Sequence, residues 1–324
     1  MSRASAKRLA VSTWTGGPRR RQLVTDALMV IVPPVGFLVA QFFYSNQLLL
    51  LTMMVYVALA QGLNVIFGFT GYLPFGYVGF FGAGAYGTAL SVTFWHVPAE
   101  VGVLCGGLAG VVVGMLLSPL LRLSGAYFAI ASLAAAEALY YLISNPQLSA
   151  VTNGPYGVNL ASVYNSGAAY GTGVVLVAVA MLCIVWVRRS HFGLSLRAIR
   201  ADPLSARMAG VHVVRARTYA WLISAALAGL AGGVYAWAVS VFYPDAVFAL
   251  SISVFAIVFA LFGGVGTVLG PLLGTIILYS VYNGIGISQP QYFQLIYGVL
   301  IVLIVLFLPD GLLSVRLRRR SRAR

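Results

Sequence analysis

The sequence predicts an all-α polytopic membrane protein with about ten transmembrane helices and with both termini in the cytoplasm. Three observations predict this class: 60% of the 324 residues are hydrophobic, only 8% are charged, and long apolar stretches run almost unbroken. An ordinary soluble domain has about a quarter of its residues charged, so a soluble globular protein is excluded. A transmembrane β-barrel is excluded too, because its strands alternate apolar and polar residues over short segments.

The apolar stretches divide into ten spans of about 20 residues each, the length that crosses a bilayer as a helix. Their predicted bounds are 23–44, 47–67, 74–94, 99–120, 126–144, 169–187, 218–241, 247–264, 268–287 and 291–308. The chain therefore divides into a basic N-terminal tail (1–21), a transmembrane domain (22–313) and a basic C-terminal tail (314–324). Within the domain, the loop 188–217 is expected to be cytoplasmic.

The net charge of +14 is concentrated at a few places along the chain. Six of the 20 basic residues lie in the N-terminal tail, seven in the loop 188–217, six between Arg316 and Arg324, and the remaining one is Arg122. Ten crossings place all of them on one side of the membrane, as the positive-inside bias requires. This pattern indicates topology and contact with anionic lipids rather than binding of nucleic acid.

A glycine-rich stretch, GFTGYLPFGYVGFFGAGAYG, follows the second span. Its helix breakers favour either an interrupted span that lines a substrate path or a tightly packed helix. The candidate path residues in this stretch are Gly71, Tyr72, Pro74, Phe75, Gly76 and Tyr77.

Small residues also recur at every fourth position in three later segments, at 106–114, 225–233 and 266–274. Lipid supplies no hydrophobic force between helices, so close backbone contact through small residues takes its place. These stripes predict helix packing and no chemistry.

Glu137 is the one acidic residue well inside an apolar span. A charge at this depth costs at least ~2.5 kcal/mol, so Glu137 is expected to face the bundle interior or water and joins the candidate path. A structural hydrogen bond to a neighbouring helix, or a position nearer the membrane interface, is an alternative of at least equal weight. In a proton-coupled secondary transporter, Glu137 would carry the proton.

No catalytic or nucleotide-binding pattern stands out. GGVGT at 263–267 is not followed by GK[ST], and Lys7 is the only lysine, so the chain is expected to lack an ATPase site of its own. We interpret GGVGT as a tight turn between two spans. Cys105 and Cys183 lie in apolar runs, and neither indicates a disulfide or a metal site.

The loop 188–217 contains the signals of a short helix. Asp202 can cap its start, Pro203 suits the first turn and Gly210 suits the position after its end, which predicts a helix over 203–209.

Leu204, Met208 and Val211 recur at helical spacing, with Arg200 and Arg207 on another face. This arrangement favours either a helix that docks into a groove of a partner protein or a basic loop that contacts lipid.

Five stretches together resemble the membrane permease subunits of branched-chain amino acid ABC importers, of the LivM type. In chain order they are GLNVIFGFTGYLPFGYVGFFGAGAY, AYFAIASLAAAEAL, FGLSLRAIRADPLSARMAGVHVVRARTYAWLISAALAGLAGGVYA, GGVGTVLGPLLG and LPDGLL. The resemblance covers most of residues 47–313, and the long third stretch is its most specific part.

The resemblance implies an importer in a bacterial plasma (inner) membrane. Its expected partners are a second permease subunit, two cytoplasmic ATP-binding cassettes that hold ATP and Mg, and a periplasmic or surface-anchored binding protein. This chain would bind no cofactor itself. The residues that match the family's ATPase-contacting loop are Arg197, Ala198, Arg200, Asp202, Pro203, Ala206, Ala209 and Gly210. With Leu204, Arg207 and Met208, they form the candidate coupling loop.

The chain departs from the family at three positions: Tyr72, Pro74 and Tyr77 stand where relatives often carry glutamine, serine and histidine. Branched-chain or similar hydrophobic amino acids are the expected substrates. Since related permeases serve urea and short amides, that substrate class remains an alternative within the family. The alternative outside it is the proton-coupled transporter that uses Glu137.

The segregation of basic residues makes a testable prediction about orientation. Single cysteines at Ser149 and Ser205, in a background lacking Cys105 and Cys183, should react with an impermeant maleimide from opposite sides of the membrane. The reason is that the loop 145–168 contains no basic residue and should face outward. Labelling of both positions from outside intact cells would contradict the predicted topology.

Overall fold

The computed structural model describes residues 17–44, 46–288, 298, 299, 302 and 312. The predicted span 291–308 and the two basic tails lie almost wholly outside the described residues. The α-helices are α1 (Gly17–Phe43), α2 (Gln47–Leu63), α3 (Val78–Trp95), α4 (Ala99–Leu116), α5 (Ala126–Ile143), α6 (Ser149–Thr152), α7 (Ser166–Arg189), α8 (His191–Ala201), α9 (Pro203–Met208), α10 (Val213–Val239), α11 (Pro244–Val247), α12 (Leu250–Gly263) and α13 (Gly270–Ser288).

A long helix lies at each of the first nine predicted spans. Within the described part of the chain, seven helical stretches are long and apolar enough to cross a membrane. They are Val24–Phe43, Gln47–Gly68, Ala99–Leu116, Ala126–Ile143, Ser166–Arg189, Val213–Val239 and Pro244–Gly263. The protein is therefore a multi-pass α-helical membrane protein.

Helices α3, α4 and α10 pack most closely in the bundle. The stripe of small residues on α4 faces the stripe on α10, so that a Cβ added to Gly229 would lie 2.6 Å from the Gly106 carbonyl oxygen and 3.1 Å from the Gly110 Cα. Such backbone contact is what small residues permit. The predicted packing role of these two stripes is confirmed.

Contacts at one end of the bundle join segments that carry basic residues. The Asp26 carboxylate of α1 pairs with the Arg189 guanidinium at the end of α7, and the turn before α5 lies beside Arg200 and Pro203. At another place in the fold, the two-residue strands β1 (Val158–Asn159) and β2 (Val241–Phe242) pair antiparallel. That pairing ties the predicted outward loop to the segment after α10.

The packing of α4 on α10 predicts the effect of a single methyl group. Gly229→Ala should lower stability by about 1–3 kcal/mol, the usual cost of overpacking, because its Cβ would meet backbone atoms that cannot rotate away. Gly171→Ala on α7 is the matched control, since a Cβ there has no atom within 4 Å. Thermal denaturation in one detergent measures both, and equal midpoints would contradict the packing.

Candidate functional site

The loop between α7 and α10 folds into two short helices, α8 and α9, whose starts are capped by side chains. The Ser190 hydroxyl accepts the Gly193 N–H at 3.1 Å. The Asp202 carboxylate accepts the backbone N–H groups of Leu204 at 3.0 Å and Ser205 at 3.2 Å, and also the Ser205 hydroxyl. The predicted helix over 203–209 is confirmed to within one residue, as Pro203–Met208.

The charge of Asp202 strengthens its cap. The hydrogen bonds from the Ser205 hydroxyl and from the N–H groups of Leu204 and Ser205 hold the pKa of the Asp202 carboxyl below its ordinary value. Because the folded-state pKa is depressed, the cap stabilises α9 above the pKa of an unfolded aspartate. That stabilisation is lost as the pH falls through the folded-state value.

The end of α9 is a tight turn at Gly210, where φ is +85°. The Val211 N–H donates to the Ala206 carbonyl across this turn at 3.0 Å, as in the usual glycine-terminated helix end. The turn leads the chain back to the bundle. Helix α9 is thus held at its start by the Asp202 cap and at its end by the Gly210 turn.

The outer face of α9 is apolar and exposed. Leu204 is 67% exposed and Met208 is 84% exposed, whereas Ala206 on the inner face is 3% exposed. Large apolar side chains one helical turn apart, held on a capped helix, resemble the anchors by which a helix enters a partner's groove. Arg207 is also exposed beside them.

The other two arginines of the predicted coupling loop make contacts within the chain. Arg197 donates to the Gly193 and Arg188 carbonyl oxygens, at 3.3 and 3.1 Å, and so braces α8 against the end of α7. Arg200 donates to the Gly68 carbonyl oxygen at the end of α2. Arg200 is exposed on α8, and this hydrogen bond also connects its guanidinium to the bundle.

The Gly68 carbonyl belongs to a π-helical turn, Asn64–Gly68, that closes α2. A wider helical turn of this kind frequently marks a functional site. Asn64 donates to the Thr267 carbonyl at 2.8 Å and accepts the Gly266 N–H at 2.7 Å, while Gln61 donates to the Val268 carbonyl at 2.7 Å.

These bonds fix the GGVGT turn between α12 and α13, which confirms that GGVGT is a turn. Sequence reasoning did not single out Gln61 or Asn64. The available signal was the presence of two amide side chains near the end of an otherwise apolar span.

After the π-helical turn, the helical structure is interrupted before α3 begins. An interrupted span was one of the two alternatives predicted for the glycine-rich stretch. Gly71 has φ of +81°, residues 71–74 are irregular, and Phe75–Tyr77 forms a single 3-10 turn. Gly71, Tyr72 and Phe75 line a cavity of about 500 Å³. The tight-packing alternative holds for the following segment, where the glycines of α3 contact α5 and α10.

Three other candidate path residues lie in packed surroundings. Pro74 is buried, and the Gly76 N–H donates to the Ser132 hydroxyl of α5 at 3.2 Å. The Tyr77 hydroxyl donates to the Ser224 carbonyl of α10 at 3.0 Å. These contacts join α3 to its neighbours and leave Gly76 and Tyr77 without an open surface in this chain.

Glu137 does not join the other candidate path residues. It lies on the exposed side of α5 together with Ala134, Ala138 and Tyr141, away from the buried side that carries Ser132 and contacts α3. Of the two expected surroundings of Glu137, the bundle interior and water, the described part of the chain excludes the interior of this bundle. A periodic pattern shows which residues share a helix face, but the neighbouring helices decide which face is covered.

Comparison with known proteins agrees with this architecture. A family model described as "Branched-chain amino acid transport system / permease component" matches residues 47–305. The high-affinity branched-chain amino acid transport system permease protein LivM of Salmonella typhimurium is 28% identical over 330 residues, which cover 92% of this chain and 76% of that protein. LivM of Escherichia coli gives the same identity and coverage.

A shorter match extends to another transport protein. The fructose import permease protein FrcC of Rhizobium meliloti is 31% identical over 150 residues, which cover 44% of this chain and 42% of that protein. No solved structure gives a significant match.

Proposed function

Because the chain belongs to the family of branched-chain amino acid transport system permease components, we propose that it is the transmembrane permease subunit of an ATP-driven ABC importer. Similarity to LivM proteins over 92% of the chain supports branched-chain or similar hydrophobic amino acids as substrates. The match to a fructose permease covers less than half of the chain and carries less weight.

The proposed setting is a bacterial plasma membrane, crossed ten times, with both termini in the cytoplasm. Helices at nine of the ten predicted spans support this count. The loop that contains α8 and α9 would then face the cytoplasm, and the loop 145–168 would face the binding protein outside.

Two cytoplasmic ATP-binding cassettes would supply the energy, and they would bind the ATP and Mg. The chain itself carries no phosphate-binding loop and has only one lysine, Lys7. The single observation that carries the coupling proposal is the capped helix α9, which holds Leu204 and Met208 exposed. These two side chains would insert into a groove of one cassette.

Arg200 would transmit the movement of this docked helix. Its guanidinium joins the last turn of α8 to the Gly68 carbonyl, and Gly68 lies three residues before the interrupted segment that starts at Gly71. A displacement of α9 would therefore act directly on residues 69–77. Asn64, which fixes the turn at Gly266, would carry the same displacement to α12 and α13.

The translocation path would run along the exposed side of α5, against a second permease subunit of the same family. Glu137 lies on that side, where a neighbouring subunit or a water-filled path would cover its carboxylate. The binding protein would supply most of the selectivity, since the exposed side of α5 is otherwise formed by alanine, tyrosine and aliphatic side chains.

The coupling proposal predicts the effect of a double substitution on α9. Leu204→Asp combined with Met208→Asp should weaken association with the cassettes by at least about a hundredfold and abolish ATP-dependent uptake. Each buried apolar side chain of this size contributes about 1.5–3 kcal/mol, and about 1.4 kcal/mol is tenfold in affinity. Co-purification of the cassettes with the permease measures the effect.

The matched control places the same charges in the other loop. Leu148→Asp with Val151→Asp changes two exposed apolar residues on a short helical segment that is proposed to face outward. This variant should still co-purify with the cassettes. Normal assembly of the Leu204 and Met208 variant would show that α9 is not the docking helix.

The energy source separates this proposal from a proton-coupled transporter. In vesicles that contain ATP, an uncoupler should leave uptake unchanged, because no step uses the proton gradient. Glu137→Gln should leave uptake largely intact or reduce it without altering this insensitivity. Collapse of wild-type uptake at constant ATP, in the absence of ATPase partners, would favour a proton carried by Glu137.

A further inference from the structure

A cavity of about 500 Å³ lies where the interrupted segment, the start of α5 and the loop helices meet. Its polar lining residues are Thr70, Tyr72, Ser124, Arg200 and Arg217. Its volume falls within the range of about 300–1,000 Å³ that is usual for small-molecule sites. The residues that line it include two arginines and no acidic side chain.

Arg217 holds a donor that nothing in the described part of the chain satisfies. Its guanidinium lies over the Tyr72 ring, 4.2 Å from the centroid, and its Nε is buried without a hydrogen-bond partner. A buried unpaired donor of a charged group is costly. The Nε atom has almost no accessible surface, so a ligand in the cavity would meet the other N–H donors of the Arg217 guanidinium.

Arg200 adds a second charge at the same cavity. Its hydrogen bond to the Gly68 carbonyl uses one of the five N–H donors of a guanidinium. The two arginines therefore present a forked, fixed positive charge of the kind that recognises a carboxylate.

The start of α5 also favours an anionic group in the cavity. Gly125 occupies the N-cap position without a side-chain cap, and both Gly125 and Ala126 line the cavity. The first N–H groups of a helix have no acceptor within the helix and carry partial positive charge. Together with the arginines, they make this cavity an anion site.

The cavity lining is also partly apolar. Leu73, Phe128 and Ile199 contribute to it, so a ligand that combines an anionic group with an aliphatic body matches the lining. An aliphatic amino acid meets this description, whereas a free inorganic anion leaves the apolar lining without a contact.

We propose that this cavity binds the carboxylate of the transported aliphatic amino acid on the cytoplasmic side, as the substrate leaves the path. The inference rests on the proposed function, which supplies the substrate class and the orientation. Arg217 is the principal carboxylate-binding residue. Arg200 connects occupancy of the cavity to the loop helices through the same side chain that reaches Gly68.

The experiment uses the complete complex in nanodiscs, without the binding protein, so that the probe ligands meet the permease alone. A cysteine replaces Ser124 in a background lacking Cys105 and Cys183, and its rate of reaction with N-ethylmaleimide is measured. L-leucine should slow the reaction. L-leucinamide, which lacks the carboxylate, and inorganic phosphate, which lacks the aliphatic body, should protect at least tenfold less well.

Substitutions at Arg217 test the residue itself. Arg217→Gln should raise the leucine concentration for half-protection at least tenfold, and Arg217→Lys, which keeps the charge but not the fork, should raise it less. Arg215→Gln is the matched control, because Arg215 lies two residues earlier on α10 and is exposed outside this cavity. It should leave the leucine concentration for half-protection unchanged. Assembly of each variant with the cassettes verifies folding.

Several results would overturn the inference. They are no protection by leucine, equal protection by leucinamide, stronger protection by phosphate, or equal effects of the changes at Arg215 and Arg217. If the wild type imports leucine with ATP and one of these results is obtained, the cavity assignment fails and the proposed function stands. If the wild type shows no ATP-dependent uptake of amino acids, the proposed function itself fails.

Discussion

The structure depends on one constraint: inside a membrane, every backbone polar group must find its partner within the protein. The chain interrupts its helices after α2 and again between α12 and α13, and each interruption frees carbonyl and N–H groups. Asn64 bonds to the Thr267 carbonyl and the Gly266 N–H, and Gln61 bonds to the Val268 carbonyl. Arg200 satisfies the Gly68 carbonyl from outside the span. Hydrogen bonds thereby join the end of α2, next to the interrupted segment, to the turn between α12 and α13.

Because these hydrogen bonds join the two irregular segments, a displacement of one segment would displace the other. Buried hydrogen bonds of this kind cannot be broken without leaving a polar group unsatisfied, at a cost of about 1–3 kcal/mol per group. Under the proposed function, a movement of α8 and α9 would therefore shift residues 69–77 and the GGVGT turn together more easily than it would separate them. The close packing of α4 on α10 at Gly229 would supply a comparatively rigid body against which such a shift could occur.

Local features of the site could be predicted from the sequence, and features set by tertiary contact could not. Helix α9 follows from Asp202, Pro203 and Gly210, whose effects act within one helical turn. The packing role of the small-residue stripes follows from their spacing, but which stripes face each other does not. The partner of Arg200 lies 132 positions away, and no local rule connects an arginine in a polar loop with a carbonyl at the end of a span. Gln61 and Asn64 were visible as polar residues in an apolar stretch, but their acceptors lie about 200 positions away in the turn between α12 and α13.

The described residues of this chain do not by themselves account for the position of Glu137. The sequence placed its carboxylate near the middle of a span, and an uncovered charge there costs at least ~2.5 kcal/mol. The structure leaves it on the exposed side of α5, between Ala134 and Ala138, whose small side chains allow another helix to approach closely. The described part of the bundle leaves Glu137 uncovered, so a further protein surface or water would have to surround its carboxylate. A second permease subunit packed along α5 would provide that surface, and the carboxylate would then lie at the boundary between the two subunits.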